Sequence, residues 1–329
     1  MAGNLSNLTF TFNLKIAKLD IHPKAIYPVF LAGALIYVFS VVCNGIILGL
    51  IITQRSLHKP MFYIMFSLPL TDLIGITVGL PRVLVDILTE TNDVYYPTCV
   101  LQAFLLHMYA CSIPFLLAAM SVDRYIAICK PLRYNSIMTP CKICGIIVLA
   151  WGLDFALILV LFSLQSRMVK CKSFITNVYC DNASLLLLSC GGDLTVNNVY
   201  GLFITAFIQI STLFLVAPLF IIVLSYMGIV FALSKITTWE ARLKALKTCV
   251  SHLLLVVSFF LPVICIYIAS LITSLTPNAR VISGSLSLSL PPMLNPIIYV
   301  LNTAEIRVLI QKLLKNRIVS IRKNISKRR

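Results

Sequence analysis

The segment MSVDRYIAICKPLRYNSIM, residues 120–138, lies where a long apolar run meets a cluster of basic residues. Asp123 and Arg124 are neighbours at the end of a stretch that is otherwise apolar enough to lie in lipid. An ionised side chain within the hydrocarbon of a bilayer costs at least about 2.5–3.5 kcal/mol. A paired acid and base at this boundary therefore needs an explanation from the rest of the chain.

The composition of the chain indicates a membrane protein. Of its 329 residues, 59% are hydrophobic and only 12% are charged, values that soluble domains rarely reach. The apolar residues fall into runs of roughly the 20 residues that a helix needs to cross a bilayer core. Seven such runs are present, at 27–52, 62–88, 100–122, 143–164, 200–232, 249–273 and 281–301.

These runs predict helices, because lipid offers the backbone no hydrogen-bond partners. The alternation of period two that marks a membrane barrel is absent from the chain. No repeat of fixed period and no low-complexity linker divides it. The sequence therefore predicts a single all-α domain, a bundle of seven transmembrane helices.

Basic residues predict the orientation of this bundle. With the N-terminus outside the cell, most of the 27 Lys and Arg residues fall in the inner loops and the tail. We therefore expect residues 1–26 to be extracellular, residues 27–301 to form the membrane domain and residues 302–329 to be cytoplasmic. The net charge of +16 then marks a face against anionic membrane lipids rather than a nucleic-acid site.

The outer segments carry candidate modification sites. Sequons for N-glycosylation begin at Asn4, Asn7 and Asn182. Cysteines that would face the oxidising exterior are Cys99, Cys171, Cys180 and Cys190. Four cysteines allow three pairings, and the residues alone leave the choice among them open.

Polar residues inside the apolar runs are the strongest candidates for function. Asp72 lies in the middle of the second run, and Asn44 and Asn295 are its natural partners across the bundle. They predict either a hydrated cluster that rearranges, with or without a cation, or a structural hydrogen-bond knot. Pro296 interrupts the seventh run between Asn295 and Tyr299, which predicts a kink that could act as a hinge.

Taken together, the motifs resemble those of vertebrate odorant receptors, a family of rhodopsin-like G-protein-coupled receptors. The first segment quoted above is similar to the family's signature at the end of helix 3, and other stretches match in order. They are GN at 44–45, LHKPMFYIM at 57–65, LTDL at 70–73, SY at 225–226, KALKTCVSHL at 244–253 and PPMLNPIIY at 291–299. The resemblance covers residues 27 to 314.

The sequence departs from the family pattern at several positions. The usual MAYDRY reads MSVDRY, Lys247 stands where the family has Ser, and Ile113 replaces an acid in the third run. The helix-6 stretch reads FFLP at 259–262, with Phe260 where Tyr is usual. These differences suggest a divergent, fish-type member and weaken the expectation of an ion beside Asp72.

The resemblance answers the question about the paired acid and base. It implies that Asp123 holds Arg124 in the resting receptor, and that Arg124 turns toward Tyr226 and a heterotrimeric G protein when helix 6 swings outward. The residues implied in the switch and in G-protein coupling are Asp123, Arg124, Tyr125, Tyr226, Lys244, Lys247, Asn295, Pro296 and Tyr299.

The family pattern also pairs Cys99 with Cys180 and Cys171 with Cys190, which ties a long loop over the mouth of the bundle. A binding pocket for a small-molecule odorant is expected below that loop. We expect it to be lined by Leu106, His107, Ala110, Cys111, Ile210, Ser211, Phe260, Val263 and Tyr267. His107, Ser211 and Tyr267 are the candidate polar anchors, although each could equally be an ordinary core residue.

After the seventh run, TAEIRVLIQKLLK at 303–315 places Ile306, Leu309, Ile310, Leu313 and Leu314 on one face. This spacing predicts an amphipathic helix that lies on the membrane surface.

The combined interpretation is an odorant receptor, not an enzyme, that needs no cofactor. Family likeness implies that it raises cyclic AMP through a stimulatory olfactory-type G protein in the plasma membrane of sensory cilia. Three alternatives compete with this interpretation. A transporter or channel could use the membrane acids Asp72 and Asp154, but the chain lacks an internal repeat. A membrane enzyme lacks a nucleophile or zinc motif, and a peptide or lipid receptor outside olfaction would keep the same fold.

Overall fold

A computed structural model describes residues 10–19, 21–189, 199–271, 277–313 and 315 of the chain. At 199–214, 241, 244, 266–271, 277–281, 283 and 302 it describes the backbone alone.

Seven long helices form the body of the protein. They are α1 (Ile26–Thr53), α2 (Pro60–Thr89), α3 (Tyr96–Cys129), α4 (Pro140–Ser166), α5 (Val199–Ser234), α6 (Trp239–Leu271) and α7 (Pro277–Asn302). Each contains a stretch that is long and apolar enough to cross a membrane. The predicted all-α bundle of seven transmembrane helices is therefore confirmed.

The helices begin where the sequence favours a start and continue past the apolar runs. Proline occupies the first turn of α2, α3 and α4, where its missing N–H costs no hydrogen bond. Helix α6 begins at Trp239, well before residue 249, because its first turns are polar and extend beyond the hydrocarbon. The length of an apolar run thus locates a transmembrane helix but underestimates how far the helix extends at its ends.

Polar side chains point into the bundle and apolar side chains cover its outer surface. In α1, Ser40 and Asn44 are fully buried, whereas Leu35 and Val42 are 62% and 51% exposed. This distribution is expected for lipid, which accepts apolar surface but cannot satisfy a polar group. Helix α3 lies centrally and contacts α2, α4, α5 and α6.

A small sheet covers the outer end of the bundle. Strand β1 (Asn13–Ile16) pairs antiparallel with β2 (Asp93–Tyr95) and parallel with β3 (Phe174–Ile175). Leu14 and Ile16 alternate with exposed residues and are almost completely buried. The N-terminal segment, which the sequence predicts only as an extracellular tail, is thus folded onto both outer loops in its described part.

A disulfide bond fixes the loop between α4 and α5. Cys99 at the outer end of α3 is bonded to Cys180, so the expected disulfide is present in the structure. Gln102 of α3 supports the same loop, because its side chain accepts from the Cys180 amide and donates to the Val78 carbonyl. Cys171 is also disulfide-bonded. Its expected partner, Cys190, lies outside the described residues, so that pairing stays a prediction.

A further helix, α8, comprises residues 304–313 at the inner end of the bundle. Ile306 is fully buried, and Leu309 and Ile310 pack against the main core, whereas Leu313 is 46% exposed. Leu314 lies outside the described residues. The buried residues of α8 thus share one face, as the amphipathic pattern predicts.

Candidate functional site

A cavity of about 230 Å³ lies in the outer half of the bundle. We call it the inner cavity, because a second cavity described below lies nearer the outer surface. It is bounded by α3, α6, α7 and the loop between α4 and α5. Its lining residues are Ala103, Leu106, His107, Tyr109, Ala110, Tyr179, Asp181, Asn182, Phe259, Val263, Gly284, Ser287 and Leu288. A small, mainly apolar space with a few polar groups suits a small organic molecule.

The structure brings together several of the residues proposed for the pocket. Leu106, His107, Ala110 and Val263 all line the inner cavity. The side chains of Ile210, Ser211 and Tyr267 lie outside the described part of the structure.

Two of the proposed residues do not line the inner cavity. Phe260 is buried in the core, and its neighbour Phe259 lines the cavity instead, with the two rings edge to face at 5.2 Å. One residue along a helix turns the side chain by about 100°, so a small error in phase changes which ring faces a ligand. Cys111 packs on the side of α3 that faces α4, in a cluster with Ile158 and Trp151.

The roof of the inner cavity comes from the loop after α4. Tyr179, Asp181 and Asn182 line it, and sequence reasoning did not include them. The expected bond from Cys180 to α3 was the available signal, since it holds the neighbours of Cys180 above the pocket. Asp181 accepts from the Ser184 amide at 2.6 Å and so caps the short helix Asn182–Leu186.

The roof keeps its hydrogen-bond donor at physiological pH. Burial raises the pKa of the Tyr179 phenol to about 12, and the charge of Asp181 adds to this effect. Asn182, a predicted glycosylation site, is partly buried on the cavity wall, and its backbone carbonyl accepts from Gln165. A glycan on Asn182 would share the space above the inner cavity. Glycosylation of Asn182 stays a prediction.

Two residues that line the cavity each have a buried polar atom with no partner within the described structure. These atoms are Nε2 of His107 and the hydroxyl of Tyr109. A buried polar group without a hydrogen bond is rare and needs an explanation. A ligand that donates to or accepts from His107 would supply the missing bond. Asp154 of α4 is also buried with one unpaired oxygen among the described residues, but it does not line this cavity.

A polar cluster in the middle of the bundle connects α2, α6 and α7. The Asn295 amide donates to Asp72 at 2.8 Å, and Ser258 donates to the Asn295 side-chain oxygen at 3.2 Å. All three side chains are almost fully buried. Asp72 and Asn295 are therefore direct partners, as their positions in the sequence suggested.

Asn44 joins the same region in a different way. Its amide donates to the Ser40 and Pro292 carbonyls at 2.9 and 2.8 Å, so it ties α1 to the backbone of α7. Polar atoms that lack partners among the described residues are Asn44 Oδ1, Asp72 Oδ1 and the Tyr299 hydroxyl. Such atoms suit a water molecule or a small cation. Ile113, almost fully buried in the core, has no side-chain oxygen to offer.

At the inner end of α3, Asp123 binds two residues of its own segment. Arg124 lies 3.5 Å from one carboxylate oxygen, and the Tyr134 hydroxyl donates to the other at 2.7 Å. Burial and the Asp123 charge raise the pKa of Tyr134, so this phenol stays protonated. Tyr134 begins the short helix Tyr134–Ile137 and was not among the predicted switch residues, although it lies within the segment quoted first.

Tyr226 and His252 tie α3, α5 and α6 together. The Tyr226 hydroxyl lies 2.9 Å from both the Cys249 carbonyl and His252 Nδ1, and His252 Nε2 lies 2.9 Å from the Leu117 carbonyl. A carbonyl only accepts, so Nε2 carries the proton, Nδ1 accepts, and the single hydroxyl proton of Tyr226 is shared between Nδ1 and the Cys249 carbonyl. We call Tyr226, His252, Cys249 and Leu117 the inner latch. In this structure Tyr226 is thus bound to α6. The family resemblance implies that it contacts Arg124 instead in the active state.

The remaining predicted switch residues differ in their surroundings. Tyr125 packs beside Gly228 of α5, where a β-carbon would collide with its ring. Lys247 is exposed near the inner end of α6, and the side chain of Lys244 lies outside the described part. Pro296 lies inside α7, and Tyr299 is buried against the main core.

Comparison with known proteins gives a consistent result. The family model described as olfactory receptor matches residues 33–317. Human olfactory receptor 51I2 is 34% identical over 84% of this chain and 88% of its own length, and human olfactory receptor 51I1 is 36% identical over 83% and 85%. Mouse olfactory receptor 1M1 is 32% identical over 90% and 92%.

A solved structure shares the fold. Squid rhodopsin superposes with a TM-score of 0.69 at 16% identity, covering 89% of this chain and 81% of that one. At that sequence identity the similarity shows only that the two proteins share the arrangement of their helices. The match of the family model and the relatives along most of the chain show more: the protein belongs to the olfactory receptor family and is a seven-helix, rhodopsin-like G-protein-coupled receptor, not an enzyme.

Proposed function

We propose that the receptor binds a small organic odorant in the inner cavity and activates a stimulatory olfactory-type G protein, which raises cyclic AMP. Family membership supports a small-molecule ligand and a G-protein partner in general terms. The single observation that carries the specific site is His107, which lines the inner cavity and whose buried Nε2 has no partner among the described residues.

A ligand in the inner cavity contacts helices that run to the inner end of the bundle, so a shift of these helices can reach that end. Leu106 and His107 belong to α3, Phe259 and Val263 to α6, and Leu288 to α7. A ligand that fits one arrangement of these helices better than another shifts the population toward it. The site therefore needs only a modest difference in contacts to select between two packings of α6.

The inner latch is the element that such a shift would open. His252 lies on the same helix as Phe259, about two turns closer to the inner end. Outward movement of α6 would break the bonds from His252 to Leu117 and to Tyr226. The freed Tyr226 could then meet Arg124, and the inner face would open for the G protein.

The outer sheet and the disulfide bond support an orientation with the N-terminus outside, in a multi-pass plasma membrane protein. Strand β1 pairs with β2, which directly precedes the helix that carries Cys99. The Cys99–Cys180 bond needs an oxidising compartment, which supports placing the N-terminal segment on that side of the membrane. Residues 302–329 would then meet cytoplasmic lipid headgroups, and the sequons at Asn4 and Asn7, which lie outside the described residues, would be extracellular. Location in sensory cilia follows from the family alone.

A cyclic-AMP assay in cells that express the stimulatory olfactory G protein tests this function. A panel of volatile and water-soluble odorants should contain at least one that raises cyclic AMP. Val263→Trp, which fills the inner cavity, should abolish that response while leaving the receptor at the cell surface. A response that persists in Val263→Trp would place the ligand elsewhere, and a panel without any response through several G proteins would contradict the proposal.

A further inference from the structure

A second and larger cavity lies nearer the outer surface, and we call it the outer cavity. Its volume is about 350 Å³, within the range of small-ligand sites. The N-terminal segment contributes residues 16–19, 21, 23 and 26 to its wall, and the rest comes from the outer end of α2, residues 90–92 and Val178 of the loop after α4. Its apolar wall is formed chiefly by Ile16, Ile21, Val83, Ile87 and Val178, and its charged residues are Lys18, Asp86 and Glu90.

The outer cavity is separate from the inner cavity. Val178 lines the outer cavity and the next residue, Tyr179, lines the inner one, so the loop forms a partition between them. The Cys99–Cys180 bond and the hydrogen bond from the Cys180 amide to Gln102 hold this partition in place. A ligand in the outer cavity would therefore occupy a site of its own.

The charges on the wall of the outer cavity are not equivalent. Both oxygens of Asp86 accept from Arg82 Nε at 2.9 Å, and Thr91 lies 3.3 Å from one of them. Asp86 is therefore already neutralised. Lys18 and Glu90 form no ion pair with any other residue that the structure describes. Among the lining residues that the structure describes, one positive and one negative group without an ion pair thus border an apolar space.

We propose that the outer cavity binds a small zwitterion with an aliphatic body, of which L-leucine is the simplest probe. Its carboxylate would face Lys18, its ammonium would face Glu90 and its side chain would lie against Ile21, Ile87 and Val178. A simple amine would gain Glu90 but meet Lys18, and a simple acid would do the reverse. A neutral molecule would leave both charges to water, so the zwitterion is the best match.

The magnitude of the preference is set by exposure. Lys18 and Glu90 are both exposed, so water screens each contact and most of the affinity must come from the apolar wall. Loss of one such contact should weaken binding about threefold to fivefold. This modest factor defines what the experiment must resolve.

The test is equilibrium binding of radiolabelled L-leucine to the purified full-length receptor in lipid nanodiscs, which requires neither an odorant nor a G protein. Unlabelled competitors of the same shape separate the charges: 3-methylbutylamine, 4-methylpentanoate and 3-methylbutan-1-ol. We expect saturable binding of leucine and competition by each analogue that is at least about threefold weaker.

Variants then locate the site. Lys18→Gln and Glu90→Gln should each weaken leucine binding about threefold to fivefold. Lys24→Gln and Asp93→Asn are the matched controls, because both side chains are exposed nearby and neither lines the outer cavity. Ile21→Trp should abolish binding by filling the cavity, whereas Val263→Trp in the inner cavity should leave it unchanged.

Three results would overturn the proposal: no saturable binding of leucine to the native receptor, equal competition by the neutral alcohol, or loss of binding in Val263→Trp with retention in Ile21→Trp. Because the exposed substitutions at Lys18 and Glu90 do not disturb the core, a failure of Ile21→Trp to fold does not affect them. Odorant responses mediated by the inner cavity are measured separately, so failure of either site is recognised on its own.

Discussion

Two polar residues of the outer half, His107 and Tyr109, differ in their hydrogen bonding from two of the inner half, Tyr226 and His252. In the outer half, His107 and Tyr109 present buried polar atoms that have no partner within the described residues. In the inner half, Tyr226 and His252 bind each other and also bind carbonyls of α6 and α3. Unpaired groups are available to a ligand, whereas paired groups hold helices together. The contrast supports the proposal that ligand recognition and the resting state depend on opposite ends of the same helices.

The largest expected effect comes from Arg124 at the inner end. Arg124→Ala should abolish odorant-evoked cyclic AMP, because the guanidinium is the group proposed to engage Tyr226 and the G protein. Surface expression should persist, since the only ion pair of Arg124 among the described residues is the one with its neighbour Asp123, at 3.5 Å. Lys142→Ala, an exposed basic residue at the start of α4, is the control and should signal normally. Normal signalling by Arg124→Ala would contradict the proposal that Arg124 acts as an activation switch at the inner end of the bundle.

The inner latch should hold the receptor in its resting state. His252→Phe removes the hydrogen bonds to Tyr226 and Leu117, which are worth roughly 1–3 kcal/mol when buried. Basal cyclic AMP without odorant should therefore rise by up to about tenfold. Ser251→Ala is the matched control, because that hydroxyl donates only within its own helix, to Lys247. Equal basal activity in the two variants would show that the latch does not set the resting state.

His107 should determine which odorants are preferred. His107→Phe should lower the potency of odorants that hydrogen-bond by about tenfold, and leave apolar odorants of the same size nearly unchanged. Dose–response curves for matched pairs of odorants measure this difference. Cys111→Ala, one turn away on the same helix but off the cavity wall, should not alter the ranking. An unaltered ranking in His107→Phe would contradict its place in the ligand site.

The smallest effect concerns the roof of the inner cavity. A β-carbon on Gly284 would lie 2.8 Å from the Tyr179 hydroxyl, so Gly284→Ala should push the ring toward the cavity or the outer loop. We expect odorant potency to fall about twofold to fivefold. Gly152→Ala in α4, where nothing lies within 4 Å, is the control. No difference between the two would mean that Tyr179 is not in contact with the bound odorant.

Most of the architecture could be predicted because the bilayer imposes a simple rule. An apolar run of sufficient length has to be a helix, and seven such runs gave the bundle. Buried polar residues such as Asp72 and Asn295 could also be paired, because an uncompensated group in lipid is costly. The same reasoning could not tell Phe259 from Phe260, since both rings are buried and only the phase of the helix separates them.

The outer surface was harder to predict. Strand β1 is only four residues long, and its alternating burial exists only because two distant loops pair with it. The roof formed by Tyr179 depends on where a disulfide places its loop, and local sequence does not encode that position. Tyr134 was missed for a similar reason, because its bond to Asp123 forms only when the chain turns back after α3.

The most direct test of the central claim is the distance between the inner ends of α4 and α6 in the full-length receptor. Spin labels carried by noncanonical residues at Lys142 and Trp239, both exposed, would report it by pulsed electron resonance in nanodiscs. An activating odorant should lengthen the distance, and His252→Phe should populate part of the longer distance without odorant. A distance that stays the same with saturating odorant and G protein would contradict the claim that a ligand in the outer half opens the inner latch.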